Sequence, residues 1–67
     1  MDTILLKYHM AKRGYTVRSL AKAMNLDVAT MSKKINNRTL VTLDETKRIT
    51  SLLALNRDDV WDIFFYS

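Results

Sequence analysis

The sequence predicts an all-α domain of five short helices around one core. Three observations predict it. Helix breakers are almost absent, with no proline and a single glycine in 67 residues. Apolar residues recur at three- and four-residue spacings, the period of a helix with one buried face. Residues able to cap a helix stand at the start of nearly every such stretch. Hydrophobic residues make up 48% of the chain, which places it with compact domains rather than disordered ones. A chain below roughly 70–80 residues rarely draws more than ~3–5 kcal/mol from its core. With no cysteine there is neither a disulfide nor a Cys/His zinc site to add to that. Tight helix packing is therefore expected to carry the fold, with help from dimerisation or a partner.

The first helix is expected from about Thr3 to Arg13, with Leu6 and Met10 inward and Lys7, Lys12 and Arg13 in water. Gly14 follows two basic residues, as a C-terminal cap does, and Tyr15 is expected to pack on the junction. His9 reads as an ordinary, partly buried helix residue. The second helix, Val17 to Met24, has Thr16 as its N-cap and buries Leu20, Ala21 and Met24. Asn25 falls where the chain must turn sharply, and Asn tolerates the left-handed backbone such a turn needs. Leu26 returns inward, and Asp27 caps a third helix from Val28 to about Ile35, with Met31 and Ile35 inward.

Asn36-Asn37-Arg38 is expected to end that helix, with an Asn in the glycine-like position. Leu40 and Val41 read as a brief, partly buried connector. Thr42 and Glu45 form a capping box, opening a fourth helix to about Leu53 with Leu43, Ile49, Leu52 and Leu53 toward the core. Asn56 and Asp59 repeat the cap spacing ahead of a short fifth helix, Arg57–Trp61. The tail Ile63-Phe64-Phe65-Tyr66 is too apolar to float free. At least two of its rings are expected to pack on the first helix or against another subunit.

Charge is divided unevenly along the chain. Residues 1–41 hold eight basic and two acidic residues, a net +6, whereas residues 42–67 hold three basic and five acidic, a net −2. A basic half suggests one face aimed at a polyanion. No apolar run approaches the roughly 20 residues of a membrane helix, and a cytoplasmic protein is the plain expectation. Catalysis is not expected: there is no Ser/His/Asp set, glycine-rich phosphate loop or metal-ligand spacing. Asp58, Asp59 and Asp62 are explained by capping and the helix dipole. Neither a cofactor nor a metal is implied.

The stretch Thr16–Asn37, TVRSLAKAMNLDVATMSKKINN, is two helices with a tight bend. Its Thr16, Leu20-Ala21, Asn25, Leu26, Met31 and MSKKINNRT resemble the helix-turn-helix of phage Cro and repressor proteins, the lambda-repressor-like or XRE-type family. The likeness extends over LKYHMAKRGYT and TLDETKRITSLLALNRDDVWDIFF, so the expectation is one helix-turn-helix domain over residues 1–67, with the motif at 16–37. The size and closing aromatics are similar to small phage and prophage regulators of low-GC Gram-positive bacteria. The resemblance implies a compact five-helix DNA-binding domain whose third helix enters the major groove of operator DNA. It implies base-facing positions at Val28, Ala29, Thr30, Ser32 and Lys33, and phosphate-facing positions at Thr16, Val17, Arg18, Lys34, Asn36, Asn37 and Arg38. It also implies a symmetric homodimer on DNA, for which Trp61, Phe64 and Phe65 are candidate contacts, though the same rings can equally be core.

One departure from the family pattern leaves two readings open. Base-reading helices usually begin with Gln, Asn, Arg or Ser, whereas this one begins Val28-Ala29, with Val17 beside it. Either Val28 tucks under the second helix while thymine methyls and DNA shape supply specificity, or the apolar edge binds protein. In the second reading Val17, Val28, Ala29 and Lys33 dock on the helix-turn-helix of a partner repressor and block its DNA contacts, as phage antirepressors do.

Overall fold

The computed structural model describes residues 1–65 and is helical throughout. The elements are α1 (Thr3–Lys12), α2 (Val17–Ala23), α3 (Val28–Ile35), α4 (Leu43–Leu52) and α5 (Arg57–Val60). The last of these runs on into a wider, π-type turn, Trp61–Phe65. Every helix start is capped by the side chain the sequence supplies. Asp2 accepts from the Leu5 amide, Thr16 from Ser19, Asp27 from Thr30, Thr42 from Glu45 and Asn56 from Asp59. Three of these are reciprocal boxes, since Ser19, Glu45 and Asp59 each reach back to the cap residue's own amide.

The helix ends share one solution as well. In α1 to α4 the residue after the C-cap turns left-handed: Gly14 at φ +77°, Asn25 at +57°, Asn37 at +61° and Ala54 at +51°. The next amide then reaches back to a carbonyl five residues earlier. These bonds are Tyr15 to Met10 at 2.8 Å, Leu26 to Ala21 at 2.9 Å, Arg38 to Lys33 at 2.8 Å and Leu55 to Thr50 at 3.0 Å. This is the Schellman arrangement, which satisfies carbonyls that the helix itself leaves unpaired. Arginines from neighbouring helices help. Arg13 Nε donates to the Leu53 carbonyl at 3.2 Å, and Arg48 Nη1 to that of Met24 at 3.3 Å.

The core is the inward stripe of each helix: Leu6 and Met10, Leu20, Ala21 and Met24, Met31 and Ile35, Ile49 and Leu53, with Leu55 and Ile63. Each is at most 9% exposed, and truncating Met31 or Ile35 to Ala is expected to cost about 2–5 kcal/mol. Tyr15 packs against this cluster, half-buried. His9 is buried at 8% exposure, its Nε2 3.7 Å from the Asp59 carboxylate on α5.

Two expected positions differ in the structure. Leu43, expected inward, is 66% exposed, because N1 of α4 is the turn's outer corner and the capping box fixes it there. Leu40, expected partly buried with Val41, is 89% exposed, and only Val41 reaches the core. In the C-terminal turn Ile63 is fully buried and Phe64 packs partly beside it, but Phe65 remains 60% exposed. Its ring leans on that of Trp61, with centroids 6.0 Å apart. Of the two described tail rings, Phe64 packs inward, and the wide turn gives its fully buried position to Ile63. Tyr66 lies outside the described residues.

Candidate nucleic-acid interface

Helices α2 and α3 pack tightly on one another across the bend at Asn25. Met24 and Met31, both sealed from solvent, and the half-buried Leu26 join the two to the core. The other side of α3 is outward: Val28, Ala29 and Lys33 are exposed, and Thr30 and Ser32 are half-buried at its margins. Val28 is 39% exposed, so it is not tucked under α2, although Val17 beside it packs partly against the core.

The start of this helix is electrostatically prepared. Asp27 Oδ1 accepts from the Thr30 amide at 2.6 Å. Hydrogen bonds from Thr30, side chain first and then backbone, hold the carboxyl below the usual aspartate range, with Lys33 adding a smaller attraction. Its far end is tied to α1. The Thr3 hydroxyl donates to the Ile35 carbonyl at 2.7 Å, and the Asn37 side-chain amide donates to the Met1 carbonyl at 2.9 Å and to Thr3 Oγ1 at 3.2 Å. Asn36 is also engaged, donating to the Ser32 carbonyl at 2.9 Å and accepting from Lys7 Nζ at 3.4 Å.

The residues named as phosphate-facing therefore divide. Arg18 and Arg38 are exposed, and among the described residues their side chains make no hydrogen bond or ion pair. The Thr16 hydroxyl caps α2. Asn36, Asn37 and Lys34 have their polar groups committed within the protein. Lys34 is the clearest case: its ammonium donates to the Leu40 carbonyl at 2.9 Å and pairs with Glu45 Oε1 at 3.1 Å. Lys22 joins the free cations. It lies one turn beyond Arg18, and both line a shallow depression with Asn25, Asp27 and Val28 beside the bend. The signal for it was the i, i+4 spacing of the two basic residues, overlooked because Lys22 stands outside the motif positions the resemblance carries.

A capped helix held outward by a second helix, with unpaired cations at both ends of its face, is the working unit of a helix-turn-helix DNA-binding domain. The model of the Cro/C1-type HTH DNA-binding domain matches residues 6–63, and the chain belongs to that family. No curated protein and no solved structure matches it. Among the described residues no group of three His, Cys, Asp or Glu could hold a metal ion, and no helix is long and apolar enough to cross a membrane.

Proposed function

We propose that the chain is a sequence-specific transcriptional regulator of Cro or repressor type that binds operator DNA with α3 in the major groove. The observation that carries this is the outward face of α3, where Ala29 and Lys33 are exposed while Met31 and Ile35 fix the helix from behind. Lys33 would read guanine O6 and N7, and Val28 and Ala29 would touch thymine methyls. Arg18, Lys22 and Arg38 would grip phosphates on either side. A single domain reads about half a site, so a symmetric dimer on DNA follows, with the exposed Trp61 and Phe65 as its candidate contact. We assign it to a phage or prophage of low-GC Gram-positive bacteria, acting in the host cytoplasm, on the resemblance alone.

The test is the salt dependence of binding to duplex DNA. Each phosphate contact contributes a slope of about −0.9 to log K against log salt, so three contacts give a steep fall. A flat response would count against groove docking.

One observation favours a second reading. Val28 is exposed at the start of α3, where a base-reading helix usually carries a polar residue. An apolar edge of this kind suits docking on the helix-turn-helix of a partner repressor, which would make the protein an antirepressor. Salt separates the two, because docking through Val17, Val28 and Ala29 would be nearly indifferent to it while collapsing with Val28→Asp.

A further inference from the structure

We propose that Lys34 and Glu45 are positioning residues for DNA binding: the pair sets the loop after α3 so that Arg38 meets the phosphate backbone, and Lys34 itself touches no DNA. This rests on the DNA-binding reading above and assigns a role within it.

The geometry is a closed network. Lys34 Nζ holds the Leu40 carbonyl and Glu45 Oε1, and the same Glu45 oxygen accepts the Thr42 amide at 2.9 Å. The two charged side chains are only 13% and 14% exposed. One grip thus joins the last turn of α3, the end of the loop and the first turn of α4. To reach a phosphate, Lys34 would have to release both acceptors and leave the partly exposed Glu45 carboxylate without its cation.

Arg38 lies between two fixed points. Its amide is held by the Lys33 carbonyl at 2.8 Å, and the Leu40 carbonyl two residues later is held by Lys34. Consecutive residues of α3 therefore clamp the loop on both sides of the one exposed cation within it. The adjacent Asn37 is pinned to Met1. A loop ordered before binding loses less freedom on binding, and that difference appears as affinity.

The test uses mixed-sequence duplex DNA and the full chain. Glu45→Gln keeps the capping box, since Gln serves at that position as Glu does, and circular dichroism confirms that the fold is retained. Electrostatics alone predicts that removing a carboxylate tightens binding to a polyanion. The positioning role predicts the opposite sign, a weakening of up to about fivefold, the range of one partly exposed ion pair. A second cycle combines Lys34→Met, which keeps the apolar stem, with Arg38→Ala. If Lys34 acts through Arg38, its substitution weakens the wild type but costs less than about twofold once Arg38 is gone, a coupling that independent contacts do not show. Wild-type binding together with tighter binding by Glu45→Gln, or with additive losses in the cycle, would overturn the pair's role alone. Absence of salt-dependent binding by the wild type would overturn the DNA reading and the pair's role together.

Discussion

The hydroxyl of Thr3 and the carbonyl of Ile35 meet at 2.7 Å, joining the first turn of α1 to the last turn of α3. Thr3 Oγ1 also accepts from Asn37, so one hydroxyl serves the end of α3 in both directions. Thr3→Val keeps the shape and leaves the Ile35 carbonyl without its donor. The expected cost is about 1–2 kcal/mol, measured by urea denaturation. Thr3→Ser, which retains the hydroxyl, should recover most of it.

Among the described residues, Ala54 is the one without special tolerance for the left-handed conformation that nevertheless adopts it, at φ +51°. A Cβ in that region costs roughly 1–2 kcal/mol, against which glycine's greater freedom in the unfolded chain must be set. Ala54→Gly is expected to stabilise by about 0.5–1 kcal/mol, raising the melting temperature by several degrees in a domain this small. Gly14→Ala should do the reverse, because its φ of +77° is equally left-handed although open space surrounds it.

Acid should unfold the domain through its caps. The Thr42 backbone hydrogen bond holds the Glu45 carboxyl below the usual glutamate value, with Lys34 assisting, and Thr30 does the same for Asp27. Both groups bind protons more weakly when folded than when unfolded. Their contribution is therefore complete above the ordinary carboxylate values of about 4 and is lost as pH falls through the lower folded values. Asp27→Asn with Glu45→Gln, which keeps capping and removes titration, should flatten the stability profile below about pH 4. An unchanged acid limb in thermal melts would contradict this.

Two substitutions on the proposed DNA face should behave differently. Lys33→Ala is expected to cost about 1–3 kcal/mol and relax preference at one base pair, whereas Arg38→Ala should weaken all sequences alike and reduce the salt slope by about 1. Competition binding against randomised duplexes distinguishes the two patterns. Equal losses on every sequence for both variants would remove Lys33 from the base-reading set.

Much of this was legible in the sequence because caps and stripes are local. Thr16, Asp27, Thr42 and Asn56 each declare a helix start within four residues, and Gly14, Asn25 and Asn37 declare three of the four left-handed ends. Ala54 gave no sign, since its conformation is imposed by the burial of Leu53 and Leu55 on either side. The outward face of α3 followed from its period, but the allocation of its polar groups did not. Lys34 and Arg38 look alike in sequence. Only the approach of Glu45 and Leu40, supplied by α4 and the intervening loop, separates the committed cation from the free one. The tail was less legible for a related reason: a continuous apolar run cannot say that a wide turn buries Ile63 and leaves Phe65 outside.

In the proposed complex, α3 and its flanking cations form the DNA-contacting face. The most direct test is to titrate duplex DNA into isotope-labelled protein and follow the backbone amides by NMR. Shifts are expected to concentrate in residues 28–38 and around Arg18 and Lys22, and to diminish as salt rises. Shifts centred instead on Trp61 and Phe65, or none in α3, would contradict it.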